Sequence, residues 1–156
     1  VVVGPNGSII LDDTYNSSPA AVMLALESLG DIESSGRKIV ALGDMLELGH
    51  HTVDAHLDIG KKVSGYCELL VVVGQRSKHI AEGALTSGMD KKSVICFEDS
   101  LMAGKYLRDI IRTGDVVLIK GSQGIRMEKT VGEILAHPEQ KAKLLARQED
   151  EWLRKV

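Results

Sequence analysis

The chain has 156 residues, of which 19 are basic and 22 acidic, giving a formal net charge of -3. A chain of this length fits one domain, which on folding buries roughly 70% of the surface that its unfolded form exposes. One Trp, three Tyr and one Phe are the only aromatic residues. Because nucleic-acid binding needs a basic field and stacking rings, this composition argues against such a partner.

The two cysteines, Cys67 and Cys96, lack the spacing of a zinc site or a disulfide framework. No apolar run approaches the roughly 18 residues of a membrane span, and the start of the chain lacks the pattern of a signal peptide. We therefore expect a cytoplasmic protein with reduced cysteines and no membrane span. Because the sequence begins without Met, inside a predicted strand, we also expect it to be part of a longer protein.

Predicted strands alternate with predicted helices along most of the chain. Residues 1–11 predict a hairpin, because a Gly-Pro-Asn-Gly spacer separates two apolar runs. The alternation that follows is typical of a parallel sheet built from βα units. The five runs that predict parallel strands are SIIL (8–11), KIVAL (38–42), LLVVV (69–73), SVICF (93–97) and VVLIK (116–120).

Helix boundaries are marked by capping and breaking residues. Ser18 followed by Pro19 is a typical helix start, and Gly30 predicts the end of that helix. A second helix is predicted from about Thr52 to Val63, a third ends at about Thr86, and a fourth ends before Gly114. A final pair of helices is split by Pro138, and the last of them is predicted to be a charged surface helix over residues 139–156.

The fold class follows from the character of the strands. The runs LLVVV and VVLI are continuously apolar rather than alternating. Strands covered by helices on both faces require this pattern. We predict an α/β fold, a three-layer α/β/α Rossmann-like domain with a mostly parallel sheet and an N-terminal hairpin strand.

Three polar motifs each follow one of these strands: DDTYNSSP (12–19) after SIIL, GDMLELG (43–49) after KIVAL, and KGSQGIRME (120–128) after VVLI. Parallel strands bring their carboxyl ends to one edge of the sheet, where open α/β sheets bind ligands. The sequence therefore predicts that the three motifs gather along a common rim.

The first motif places carboxylates, an amide and hydroxyls between a strand and a helix amino terminus, where a ribose or a phosphate can bind. The alternative interpretation is that Asn16, Ser17 and Ser18 cap the helix while Asp12 and Asp13 are solvated. The motif alone leaves both interpretations open.

In the second motif, Asp44 and Glu47 bracket an apolar pair. Such a loop can present a carboxylate to a cationic amine. The alternative is an ordinary turn with Met45 and Leu46 inserted into the core. Spacing alone does not choose between the two.

The third motif places Lys120 before its glycines and Arg126 after them. A phosphate loop needs the lysine after the glycines, so this motif is not one. We expect Arg126 in the first turn of a helix, where with Lys120 it suits a carboxylate or a phosphate. The alternative is that both residues only add solubility.

Metal binding and nucleophilic catalysis are not predicted for this chain. His50, His51 and His56 do not form the i, i+4 pair that binds zinc on a helix. His56 is predicted to be a partly buried helix residue. Ser122 lacks a G-x-S-x-G context, and neither cysteine has an evident base partner.

Taken together, DDTYNSSP, LGDMLELG with His56 on the following helix, and KGSQGIRME closely resemble the carboxy-terminal domain of the Mur ligases, over nearly the whole chain. The resemblance implies an ATP-dependent amide ligase of peptidoglycan synthesis. In such a ligase, ATP would phosphorylate the carboxylate of UDP-N-acetylmuramoyl-tripeptide and leave as ADP, and the amine of D-alanyl-D-alanine would attack the acyl phosphate and displace phosphate. It also implies amino-terminal and central domains, the central one holding most of the ATP contacts and Mg2+.

The resemblance also implies roles for particular residues, although none of them is catalytic in this chain alone. It assigns Asp13 to the ribose, Asn16 to the nucleotide and Tyr15 to the nearby cleft. The positions assigned to the amine-substrate side are Asp44, Glu47, Lys120, Ser122 and Arg126, with Arg126 gripping the dipeptide carboxylate through a two-pronged contact. The SSP stretch and the His50–His51 pair depart from the family pattern.

Two other hypotheses compete with this one. A related amide ligase of the folylpolyglutamate or cyanophycin type would share the fold and take another amine. A stand-alone nucleotide-binding or interaction module would have kept the fold without the reaction. Under the favoured hypothesis, the chain alone lacks a phosphate loop and is expected to be inactive.

Overall fold

The computed structural model describes residues 1–146, 148, 149, 151 and 154. Strands and helices alternate as predicted. In chain order they are β1 Val2–Val3, β2 Ile9–Asp13, α1 Pro19–Asp31, β3 Lys38–Gly43, α2 Thr52–Val63, β4 Leu69–Val73, α3 Lys78–Thr86, β5 Val94–Phe97, α4 Ser100–Ile110, β6 Val116–Lys120, α5 Glu128–Glu133 and α6 Lys141–Leu144.

The strands form one six-stranded sheet in the order β1-β2-β6-β3-β4-β5. β1 runs antiparallel to β2, and every other neighbouring pair is parallel, which confirms the predicted hairpin and the mostly parallel sheet. The last strand in sequence, β6, lies between β2 and β3. The third motif, which follows β6, is thereby placed between the first two.

Both faces of the sheet are buried, which confirms the three-layer prediction. Alternate residues of the inner strands β3, β4 and β6 join different clusters: Ile39 packs on the side of α4 and α5, while Val40 packs on the side of α1, α2 and α3. Because each strand must supply apolar side chains to two cores, its sequence is continuously apolar.

The carboxy-terminal part differs from the prediction. The final pair of helices is present as α5 and α6, with a 3-10 turn at Pro138–Gln140 between them. The predicted surface helix ends early, because Leu145 is extended and packs into the core beside α5. Its continuation through residues 147, 150, 152, 153, 155 and 156 lies outside the described residues.

The helix before Gly114 also ends earlier than predicted. α4 stops at Ile110, and Gly114, with a φ of 83°, forms the turn that leads into β6. Within the described residues, no helix is long and apolar enough to cross a membrane.

Helices α2 and α3 approach each other through two glycines. A Cβ atom at Gly60 would overlap the carbonyl oxygen of Ile80, and one at Gly83 would overlap the carbonyl oxygen of Leu57. The two backbones therefore touch directly. This close packing fixes where α2, and with it the end of the second motif, lies on the sheet.

We expect Gly60→Ala to lower the free energy of unfolding by about 1–3 kcal/mol, because the added methyl group forces the helices apart. Urea unfolding followed by circular dichroism measures the change. Gly65→Ala is the matched control, because its Cβ would meet only the Lys62 carbonyl oxygen at 3.5 Å. Equal stability of the two variants would show that the helices have room to separate.

An ion pair closes the amino end of the sheet. Asp115 accepts hydrogen bonds from the backbone N–H of Arg37 at 2.9 Å, from the Arg37 guanidinium at 2.6 Å and from the backbone N–H of Arg112 at 2.9 Å. Burial by itself raises the pKa of Asp115, but the hydrogen bonds from Arg37 and Arg112 outweigh it and hold the pKa below its ordinary value. The ionised carboxylate thus ties the starts of β3 and β6 to the end of α4.

Asp115→Asn is expected to lower the free energy of unfolding at pH 7 by about 2 kcal/mol. Since the folded-state pKa is lowered, the contribution is complete above the unfolded pKa of about 3.9 and is lost as the pH falls through the folded value. The gap between wild type and variant should therefore shrink below pH 4 in urea titrations. Asp58→Asn, in the exposed pair with Lys61, should change stability by less than about 0.5 kcal/mol.

Candidate functional site

The three motifs meet at the carboxyl edge of the sheet, which confirms the predicted common rim. Ser122, after β6, is hydrogen-bonded both to Leu46 of the second motif and to Ser17 of the first. A cleft of about 500 Å3 opens between the three loops. It is lined by Tyr15, Asn16, Leu46, Glu47, Ser122, Gln123 and Gly124.

Asp13 and Lys120 are paired across β2 and β6, where they stand in register. The Lys120 ammonium lies 2.7 Å from Asp13 Oδ2 and donates a second hydrogen bond, also 2.7 Å long, to the Asn16 carbonyl oxygen. The Lys120 side chain is 2% exposed, whereas that of Asp13 is 48% exposed. Asp13 can therefore accept a hydrogen bond from a ligand hydroxyl while it stays paired with Lys120. The buried Lys120 ammonium supports the loop from the interior of the protein.

A second cavity, of about 360 Å3, lies on the other side of this loop. Asp13, Tyr15 and Asn16 separate it from the cleft, and the exposed side chain of Leu24 adds an apolar wall from α1. The first motif thus presents polar atoms beside apolar surface, which suits a ligand with both characters.

The other polar residues of the first motif shape the loop. Asp12 Oδ1 accepts hydrogen bonds from the backbone N–H and the hydroxyl of Thr14, and burial raises the pKa of Asp12. Ser18 caps α1 by accepting from the N–H of Ala21. The capping interpretation is therefore right for Ser18, while Asp12 and Asp13 have defined partners and are not merely solvated.

The carboxylate of Asp44 is bonded to a backbone donor of the protein and does not line the cleft. Its side chain is buried, and its Oδ1 accepts a 2.7 Å hydrogen bond from the backbone N–H of Ser77, just before α3. Gly74, with a φ of 113°, leaves room for the carboxylate, since a Cβ there would overlap it. Sequence analysis assigned Asp44 to the amine-substrate side; here it joins the ends of β3 and β4.

His56 is fully buried, not partly buried as expected. Its Nε2 accepts the backbone N–H of Met45 at 3.0 Å, and its Nδ1 lies 2.6 Å from the Thr52 carbonyl oxygen. This pairing assigns the proton to Nδ1, with the ring neutral. Burial lowers the pKa of His56. The second motif is thus held from below, with Met45 inserted into the core.

We expect His56→Gln to reduce the loss of stability on acidification. Because the folded-state pKa is lowered, the neutral ring contributes fully above the unfolded pKa of about 6.5, and the contribution is lost as the pH falls through the folded value. Urea titrations at pH 7 and pH 5 should show a smaller drop for the variant than for wild type. His137→Gln, at an exposed ring paired with Glu139, should keep the wild-type drop.

Glu47 is the carboxylate that the second motif presents to the cleft. It is exposed and adopts a φ of 65°, a left-handed conformation uncommon outside glycine. Such conformations persist where the surroundings enforce them and cluster at ligand sites. Of the two carboxylates in this motif, Glu47 therefore has the position expected of a ligand-binding group.

The prediction for Arg126 is wrong in its local structure. Arg126 is not in a first helical turn: it ends a 3-10 turn at Gln123–Ile125 with a φ of 59°, and α5 begins at Glu128. Its guanidinium Nε pairs with the buried carboxylate of Glu128. The side chain is 10% exposed and lines neither cavity.

Three residues that line the cleft were not predicted from the sequence: Leu46, Gln123 and Gly124. Gly124 allows the loops to meet, because a Cβ there would lie 2.8 Å from Leu46 Cδ1. Their place inside the second and third motifs was the available signal, but no pattern in the sequence indicated which motif residues face the cleft.

Neither the cysteines nor the acidic residues form a metal centre in the part of the chain that the structure describes. No group of three or more His, Cys, Asp or Glu side chains is arranged there to hold a metal ion. Cys67 and Cys96 are both free thiols, and burial raises the pKa of Cys67 to about 12.

The fold and the cleft define an α/β domain that presents a ligand-sized cleft, made from three loops at the carboxyl edge of its sheet. The model of the family described as Mur ligase, glutamate ligase domain matches residues 1–123. The chain belongs to this family.

Several relatives carry the name UDP-N-acetylmuramoyl-tripeptide--D-alanyl-D-alanine ligase. The protein from Bacillus subtilis strain 168 is 30% identical over 134 residues, which cover 85% of this chain and 29% of the relative. The protein from Escherichia coli K12 is 31% identical over 127 residues, which cover 79% of this chain and 26% of the relative.

Solved structures show the same similarity. The MurF ligase from Thermotoga maritima, crystallised in complex with ADP, superposes with a TM-score of 0.67 at 26% identity, over 88% of this chain and 29% of that one. MurF from Acinetobacter baumannii gives a TM-score of 0.70 at 25% identity, over 84% of this chain and 29% of that one. The chain thus spans less than a third of each of these proteins.

Proposed function

We propose that this chain is the carboxy-terminal domain of an ATP-dependent amide ligase, which joins D-alanyl-D-alanine to UDP-N-acetylmuramoyl-tripeptide in peptidoglycan synthesis in the cytoplasm. The observation that carries the proposal is the convergence of the three motif loops on one cleft. The shared name of the relatives supports the choice of reaction, and the ADP complex of the Thermotoga maritima protein supports ATP as the nucleotide.

The first motif takes the nucleotide in this proposal. The half-exposed carboxylate of Asp13 accepts hydrogen bonds from the ribose hydroxyls. Asn16 and Tyr15 belong to the same loop and line both cavities. Lys120 holds Asp13 and the Asn16 carbonyl oxygen in place, so the loop is organised before the nucleotide arrives. As the sequence resemblance implies, the central domain of the full-length protein holds Mg2+ and most of the phosphate contacts.

The second and third motifs take the incoming amine. Glu47 is the cleft carboxylate that can pair with the ammonium of D-alanyl-D-alanine, while Leu46 offers apolar surface for its methyl groups. Asp44 and Arg126 act through their protein partners, Ser77 and Glu128, by holding the loops in place. The two-pronged grip of Arg126 on the dipeptide carboxylate stays a prediction of the resemblance.

Catalysis by this domain is positioning and charge stabilisation. No protein nucleophile is needed, because the amine attacks an acyl phosphate that ATP has created on the tripeptide. Holding the two substrates in reacting geometry lowers the activation free energy, because the entropic cost of bringing them together is met when they bind. The chain by itself is therefore expected to carry no ligase activity, and an active isolated domain would contradict the proposal.

An assay of amine specificity tests the proposed substrate. The full-length protein that contains this chain is supplied with ATP and with either UDP-N-acetylmuramoyl-tripeptide and D-alanyl-D-alanine or a folyl monoglutamate and L-glutamate, and phosphate release is measured. We expect release with the dipeptide only. Preference for glutamate would favour a ligase of the folylpolyglutamate type, and no turnover with any amine would favour a stand-alone module.

In the same protein, Asp13→Asn should lower kcat/KM for ATP at least tenfold, about 1.4 kcal/mol of transition-state binding. Asparagine can still accept the hydrogen bond from Lys120 but loses the charge and one strong acceptor for the ribose. Asp109→Asn, on an exposed face of α4, is the control and should keep wild-type kinetics. Unchanged kinetics in Asp13→Asn would remove Asp13 from the nucleotide site.

A further inference from the structure

The hydroxyl of Ser122 connects the two walls of the cleft. Ser122 Oγ accepts a 2.9 Å hydrogen bond from the backbone N–H of Leu46 and donates a 3.3 Å hydrogen bond to the carbonyl oxygen of Ser17. A hydroxyl has one proton and two lone pairs, so it can make both bonds at once. The side chain is buried, and the two bonds span 76 and 105 residues of sequence.

Both bonds end next to residues that line the cleft. Leu46 lines it directly with Glu47, and Ser17 follows Asn16, which lines the opposite wall with Tyr15. One oxygen atom, Ser122 Oγ, therefore links the two walls directly. The backbone N–H of Ser122 adds a third link, a 3.1 Å hydrogen bond to the Asp44 carbonyl oxygen.

The sheet order explains why this residue is suited to the task. β6 lies between β2 and β3, so the loops that leave those two strands flank the end of β6. A residue just after β6 therefore lies between both loops. Serine fits because its single hydroxyl is short enough to reach two backbones without filling the cleft.

We propose that Ser122 is a positioning residue, which fixes the width of the cleft and couples the nucleotide wall to the amine wall. This inference rests on the function proposed above. A nucleotide that shifts residues 13–17 shifts residues 44–47 with them through the Ser122 hydroxyl, so ADP tightens the binding of D-alanyl-D-alanine. By linkage, the dipeptide tightens ADP binding by the same factor.

Three variants of the full-length protein separate this role from a general loss of stability. Ser122→Ala removes the hydroxyl, and Ser122→Thr keeps it. Thr130→Val is the matched control, because it removes another buried hydroxyl, one that donates a 2.6 Å hydrogen bond to the Ser100 carbonyl oxygen. Melting temperatures identify any variant that fails to fold.

The first measurement is the dissociation constant of D-alanyl-D-alanine by calorimetry, without ADP and with saturating ADP. We expect ADP to tighten binding at least about fivefold in wild type, Ser122→Thr and Thr130→Val, and less than about twofold in Ser122→Ala. Equal coupling in wild type and Ser122→Ala would overturn the proposal. So would equal loss of coupling in Thr130→Val, since the effect would then be one of stability.

The second measurement does not depend on the proposed function. Hydrogen exchange of the Leu46 amide should accelerate at least about tenfold in Ser122→Ala and stay near the wild-type rate in Ser122→Thr and Thr130→Val. Unchanged exchange in Ser122→Ala would show that the hydroxyl does not hold the loop and would overturn the proposal. If wild type binds neither ligand, the proposed function fails, and faster Leu46 exchange still supports the link between the loops.

Discussion

The buried ammonium of Lys120 is the constraint from which the site is organised. A charge that is 2% exposed is stable only if protein groups replace its water. Asp13 and the Asn16 carbonyl oxygen supply that replacement, and to do so the first motif must fold over the end of β6. The charge in the middle of the sheet edge therefore dictates the path of the loop that borders both cavities.

Sequence patterns revealed the layers of this fold because burial leaves a local signature. The continuous run Leu69–Val73 could be interpreted without any partner, since both faces of a covered strand are apolar. Strand order has no such signature, and the insertion of β6 between β2 and β3 appears only in the pairing of residues about a hundred positions apart, such as Asp13 with Lys120. The common rim could be predicted, because it follows from parallel strands alone. The hydrogen bonds between its loops could not, because they depend on which strands are neighbours.

Four acidic residues in two motifs show where prediction of the site stops. Asp12, Asp13, Asp44 and Glu47 are alike in the sequence, each a carboxylate at or soon after the carboxyl end of a strand. Their partners separate them, since Asp12 is bonded to Thr14 and Asp44 to the start of α3, while Asp13 stays half exposed and Glu47 faces the cleft. Backbone donors within reach decide this difference, and their location depends on the fold as a whole.

Hydrogen bonds and ion pairs at both ends of the strands make the cleft rigid. The starts of β3 and β6 are held by Arg37 and Asp115, and the loops at their other ends are held by His56, Asp44 and Lys120. Loops ordered in advance do not lose conformational entropy when a ligand binds, so more of the contact energy remains for affinity and orientation. In the function proposed above, the domain contributes no nucleophile and acts through placement and charge, and both depend on a cleft that is stiff before substrates arrive.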